Sequence, residues 1–278
     1  MLLFPSIIFG ISLVFWFLRP EYVQYIFLAN LWALSYPHTF STFTRSYFES
    51  SSNKLRALMV MAIFLLINIA IVLYYDFVVL INLYFYTQFF HYMRQNFGIS
   101  KLKSLKWKKL DTIVFHLFHL CILILFFEGT KTFLGFKLFG PDLSALYFEA
   151  SSIVAFLCGL YFIITFRGKS PLLYIYLGLA AIMIINPQTF ILGWLGLHLF
   201  HNTQYLLMNW SLNPRLPFLL HYLGLVALVL VIYIPVKLFD RNFSQFVSIS
   251  FCLILSVNFS HYVFDSFLWK RKFRENYP

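Results

Sequence analysis

Charge is what this chain has least of. Only 11% of its 278 residues are Asp, Glu, Lys or Arg, and 61% are hydrophobic. A soluble domain carries roughly a quarter charged residues, so a soluble globular class is excluded. Cysteine is almost absent too: Cys121, Cys158 and Cys252 stand far apart within apolar segments, with no C-x-x-C pair. That rules out a disulfide framework or a zinc knuckle. Acids are scarce, 10 against 21 basic residues, for a net charge of +11. In a soluble protein such an excess would suggest nucleic acid; here it is assigned to loops facing the cytoplasm, and no nucleic-acid partner is expected. There is no internal repeat, no separate soluble region and no small-residue cleavage site after the first apolar stretch. Residues 1–278 are therefore expected to form a single integral membrane domain that keeps its first segment.

What the chain has is long apolar runs, at roughly 2–18, 22–40, 55–75, 77–98, 110–127, 147–166, 171–186, 187–208, 217–239 and 244–269. A helix needs ~20 residues to cross the hydrocarbon layer, so 171–186 is the shortest fit. The runs are continuous rather than alternating, which argues against a barrel. The expected fold class is all-α: a polytopic transmembrane bundle of about ten helices. The 36 Phe and 18 Tyr suit its lipid-facing and interfacial surfaces.

Most basic residues fall in alternate loops: Arg45, Lys54 and Arg56, then Arg94 to Lys109, then Arg167 and Lys169, Arg215, and the tail from Lys270 to Arg274. The positive-inside rule then puts both termini in the cytoplasm, in the manner of a bacterial inner-membrane protein. With that orientation all eight histidines lie in the cytoplasmic half of the membrane. Ionisable groups there face one another, a cavity or a cofactor. A lone histidine reads as a helix-to-helix hydrogen bond, but eight in one layer point to a metal, since neutral imidazole is a common ligand for iron, zinc and copper.

Spacing narrows the set. His198, His201 and Tyr205 share one helix face, with Asn202 and Gln204 beside them as ligand-holding groups or as a polar packing patch. His261 is followed four residues on by Asp265, which either accepts the ring's second N–H or pairs with Lys270 or Arg271 at the interface. His91 has Gln88 and Gln95 on its own face, with Arg94 nearby. His38 follows Pro37, which loosens a helix and aims the ring inward. His116 and His119 form a second H-x-x-H, either ligands of a second metal or polar packing, and His221 reads as structural.

The order "SYPHTF", "QFFHYMRQNFG", "HNTQYLLMNW", "SHYVFDSFLW" resembles the Brp/Blh-like membrane β-carotene dioxygenases. The resemblance covers most of the chain in architecture, with identity confined to isolated positions. It implies that His38, His91 and His201 are iron ligands, with His261 matching a later histidine of the family. His198 or His261, or Tyr205, would complete the site. Tyr205, Asp265, Gln88 and Asn202 are the expected surroundings of the ligands. Two departures stand out: Thr39 and Thr42 replace a Gly and an Asp after the Pro-His, and Tyr205 replaces a second histidine.

The resulting expectation is a non-haem Fe(II) site with an open position for O₂, in a membrane oxygenase that cleaves a double bond of a carotenoid-like substrate drawn from the bilayer. Zinc or copper would also accept an all-histidine shell. The alternatives are a di-iron membrane desaturase or hydroxylase acting on lipid, which could use both H-x-x-H pairs; zinc hydrolysis, with Asp265 as the only base in reach; and a haem-binding, transport or purely structural protein.

Overall fold

The computed structural model describes residues 3–19, 21–49, 51–102, 107–129, 132–133, 136–166, 171–183, 190–212, 217–243 and 249–276. These are helical almost throughout: α1 (Leu3–Leu18), α2 (Glu21–Asn30), α3 (Tyr36–Glu49), α4 (Ser51–Tyr74), α5 (Phe77–Leu102), α6 (Lys109–Gly129), α7 (Ala145–Thr165), α8 (Pro171–Ile182), α9 (Phe190–Leu212), α10 (Phe218–Phe243) and α11 (Ile249–Asn276). Within the described residues each expected apolar run falls on a helical rod, so the all-α expectation is met; 184–189 and 244–248 lie outside the described residues. One departure is small: Thr132–Phe133 and Phe136–Lys137 pair as a two-stranded antiparallel hairpin between α6 and α7. Strands of two residues are too short to leave an alternating pattern in the sequence.

A second departure bears on the site. α2 and α3 are joined without a break by a π-helical turn, Leu31–Ser35, flanked by Asn30 and Tyr36 in right-handed helical geometry. Pro37 follows at once, and a proline inside a helix has no N–H for the carbonyl four residues back. That carbonyl belongs to Ala33, and the Tyr222 hydroxyl of α10 donates to it at 2.5 Å. A local defect is thus repaired from another helix, one of the ways a broken helix is tolerated in apolar surroundings.

By its contacts the chain divides into two compact units, one of Leu28–Thr87 with Asn202–Pro278, the other of Leu2–Phe27 with Gln88–His201. The borders fall inside α2, α5 and α9, each of which runs from one unit into the other. In the first unit α11 packs on α3 and α4, and α10 on α3. Polar groups hold part of this packing: the Asn68 amide on α4 donates to the Cys252 carbonyl (3.2 Å) and to Ser256 Oγ (2.9 Å) on α11.

In the second unit α6 packs on α7, tied by a Tyr161 hydroxyl that donates to Asp111. Here α9 approaches α8 closely because Gly193 has no side chain. A Cβ there would meet the Leu179 carbonyl oxygen at 2.8 Å and the Met183 nitrogen at 2.9 Å. Gly196, one turn on, likewise leaves room for Phe9 of α1.

Among the described residues, two helices, Lys109–Phe127 and Ala145–Thr165, are long and apolar enough to cross a membrane. Large apolar side chains are exposed along several helices, among them Ile11 and Phe17 on α1, Ile63 and Leu66 on α4, and Phe156 and Ile164 on α7. Polar groups are instead buried, including six of the histidines, Asn68, Gln88, Asp111 and Asp265.

Candidate metal centre

The histidines divide between the two units and form a close pair in each. In the first unit His38, delivered by the π turn and Pro37, meets His261 of α11 edge to face, ring centroids 4.5 Å apart. Tyr205 of α9 closes the group, its ring 4.3 Å from His38 and 5.3 Å from His261. Beneath these rings lies a buried polar network. Thr42, one helical turn after His38, places its Oγ1 2.7 Å from His261 Nδ1. The same oxygen is in short contact with the Tyr205 hydroxyl, which donates to Asp265 Oδ1. Thr42 also lies 3.4 Å from that carboxylate oxygen. On the other side of His38, Thr39 donates to Asn258 Oδ1 at 3.0 Å.

In the second unit His91 of α5 and His201 of α9 stand with centroids 5.1 Å apart at 77°. Tyr92 packs on His201 at 4.3 Å. His198 is one turn away and fully buried, held by different neighbours. The Gln88 amide lies 3.2 Å from its Nε2 and donates to the Tyr92 hydroxyl at 2.7 Å, while Trp194 packs on the ring at 5.7 Å.

One ligand nitrogen from each of His38, His91, His201 and His261 lies within 4.8 Å of the other three. Metal–imidazole bonds of ~2.0–2.1 Å put ligand atoms on one ion roughly 3 to 4.2 Å apart. The four residues are between 1 and 8% exposed, so their nitrogens are shielded from competing water. The donor set is chemically coherent, because neutral imidazole is a good ligand for divalent iron, copper and zinc. A buried divalent charge also calls for a nearby anion, and Asp265, itself buried, has its Oδ2 3.6 Å from His261 Nε2. The group of four histidines could therefore hold a metal ion; its identity is not fixed by the donors.

Of the residues singled out in the sequence, His38, His91, His201 and His261 come together, and His198 lies outside their group. Gln88 serves His198 and Tyr92 rather than His91. Asn202 and Gln204 are both buried. Asp265 reaches His261 differently from the expected direct acceptance of a ring N–H: at 3.6 Å its Oδ2 is too distant for that bond, and Thr42 stands at the other ring nitrogen. Its alternative partners, Lys270 and Arg271, lie outside the described side chains.

The second H-x-x-H does not build a second centre among the described residues. His116 is exposed and turned to its own helix, Nδ1 to the Thr112 carbonyl at 2.7 Å. His119 Nδ1–H donates to the Phe115 carbonyl and its Nε2 accepts from the Tyr176 hydroxyl, each at 2.6 Å. Both of its nitrogens are thus engaged, one within α6 and the other on Tyr176 of α8. His221 is partly exposed near the start of α10.

Sequence reading missed Thr42 as a participant and noted it only as a departure from the family pattern. The signal was present, since Thr42 stands four residues after His38 and so on its face. No family model, characterised protein or solved structure matches this chain.

Proposed function

We propose that the chain is an integral membrane oxygenase whose four buried histidines hold one Fe(II) ion, and that it cleaves a double bond of a lipophilic polyene into two aldehydes. The observation that carries the reading is the buried meeting of four imidazoles from distant parts of the chain. The resemblance to the Brp/Blh-like dioxygenases adds the metal and the substrate class. The exposed apolar faces of α1, α4 and α7 support lipid as the surrounding solvent for a polytopic bundle. Both termini would lie on the cytoplasmic side, by the excess of Lys and Arg in alternate loops.

When bound, iron supplies the activation of O₂ that no side chain can provide. The chain's residues would do the rest. His38, His91, His201 and His261 would hold the ion through one ring nitrogen each. Their burial excludes water, and Asp265 offsets part of the positive charge. Apolar substrate would enter from the bilayer, and a groove in the first unit offers an apolar wall beside the ligand-bearing helices. Phe40, Val229, Ile232, Leu253 and Val257 line it, with Thr39, next to His38, at its side. The reaction balances without a reductant: one C=C and one O=O bond break, and two C=O bonds form.

A di-iron desaturase or hydroxylase draws less support, because both nitrogens of His119 are taken by hydrogen bonds and His116 is exposed. Metal analysis of detergent-purified protein tests the proposal. One iron per chain is expected, lost in His91→Ala and in His201→Ala; full retention in both variants overturns the assignment. Expression in carotene-accumulating cells should bleach their colour and yield aldehydes, and unchanged pigment would remove the substrate class.

A further inference from the structure

Three short contacts in the first unit run in a line: His261 Nδ1 to Thr42 Oγ1 at 2.7 Å, Thr42 Oγ1 to the Tyr205 hydroxyl, and that hydroxyl to Asp265 Oδ1. Each contact needs one proton between its two heavy atoms, and each hydroxyl has only one to give. The Tyr205 hydroxyl donates to Asp265 Oδ1, so its one proton is committed there. The proton between Thr42 and Tyr205 must then belong to Thr42. The proton between Thr42 and His261 has only one remaining source, the ring. The chain of donation is therefore one-way: His261 Nδ1–H to Thr42, Thr42 to Tyr205, Tyr205 to Asp265.

We infer that Thr42, Tyr205 and Asp265 act as positioning residues that lock His261 in its Nδ1–H tautomer and so present Nε2 to the metal. A second observation agrees. Were the proton on Nε2, its nearest carboxylate oxygen, Asp265 Oδ2, would stand at 3.6 Å, too far to accept it well. The relay also accounts for the two departures from the family pattern. Thr42 takes a place held there by an acid, Tyr205 one held by a histidine, and together they carry the influence of an acid on α11 to a histidine on the same helix. In metal sites a partner of this kind fixes ring orientation and tautomer, and its loss costs roughly 10–100-fold in metal affinity.

This inference rests on the metal reading of the four histidines, yet its structural half can be tested without metal. The protein, labelled with ¹⁵N in its histidine rings and stripped with chelator, is examined by NMR in detergent, with His261→Gln used to assign the signal. Wild type is expected to show His261 protonated at Nδ1. Thr42→Ser should keep that signature, and Thr42→Val should lose it.

Titration with Fe(II) alone, under anaerobic conditions, should then give Thr42→Val an affinity at least about tenfold weaker than wild type, with Thr42→Ser close to wild type. An Nε2–H ring in wild type overturns the inference, as does a wild-type tautomer and affinity in Thr42→Val. If Thr42→Val fails to fold, Thr42→Ala, which also lacks the hydroxyl, decides alone, and an unchanged Nδ1–H signal there refutes it. Failure of wild type to take up iron, with the tautomers behaving as described, would instead refute the metal reading.

Discussion

Removing the Tyr205 hydroxyl isolates one bond in the middle of the buried network. Tyr205→Phe keeps the ring, and with it the edge-to-face contact on His38 at 4.3 Å and 85°, worth about 0.5–1.5 kcal/mol in such pairs. What disappears is the hydrogen bond to Asp265 and the contact with Thr42. Two magnitudes compete. Ordinary hydrogen bonds between membrane helices average only about 0.6 kcal/mol, because the unfolded chain finds other partners in the bilayer. Bonds to a charged group contribute about 1.5–3 kcal/mol. Tyr205 is fully buried and Asp265 nearly so, so the carboxylate loses a donor that water cannot replace, and the larger figure should hold.

Tyr205→Phe is accordingly expected to lose about 2 kcal/mol of stability. The assay is reversible unfolding of metal-free protein in mixed micelles, followed by tryptophan fluorescence. Asp265→Asn and the double variant complete a cycle that isolates the pair, with an expected coupling above about 1 kcal/mol. A single-variant loss below about 0.5 kcal/mol, together with additive effects in the cycle, would refute the reasoning.

Three further outcomes follow from packing. Gly193→Ala should destabilise by about 1–3 kcal/mol, since its Cβ would meet backbone atoms of Leu179 and Met183; Gly178→Ala, with nothing within 4 Å, should be neutral or gain about 0.5–1 kcal/mol, and equal effects in unfolding midpoints would contradict the close approach of α8 and α9. His119→Ala should cost about 1–3 kcal/mol by stranding the Tyr176 hydroxyl, while elemental analysis finds the metal content of both His116→Ala and His119→Ala unchanged; loss of metal in either would revive a second centre. Tyr222→Phe should destabilise by about 1–3 kcal/mol, and Pro37→Ala should relieve most of that loss by restoring an N–H near the Ala33 carbonyl; no relief would mean that the proline defect is not what Tyr222 repairs.

The helices were legible because continuous apolar runs leave few alternatives, and the described parts of those runs fall on helical rods. The π turn at Leu31–Ser35 was not legible, since its residues LWALS carry no pattern of their own; Pro37 announced only that something must give. That some of the histidines would meet was legible from their number within the apolar segments. Which of them meet was not, because spacing along one helix cannot tell His201 from His198, one turn apart and both buried. That choice is made by neighbours from other helices: Gln88 engages His198, whereas His91 faces His201. Asp265 was seen as a partner of His261 through its spacing, but the interposed Thr42 comes from a helix more than two hundred residues earlier. Pairings at that separation are set by packing rather than by local sequence.

The central claim is that four imidazoles share one ion, and X-ray absorption of the metal-loaded protein measures that shell directly. Four nitrogen scatterers at about 2.0–2.2 Å, with the outer-shell pattern of imidazole rings, are expected; His261→Gln should reduce the imidazole count by one. A shell dominated by oxygen or sulfur, or one unchanged in His38, His91, His201 and His261 variants alike, would contradict the account.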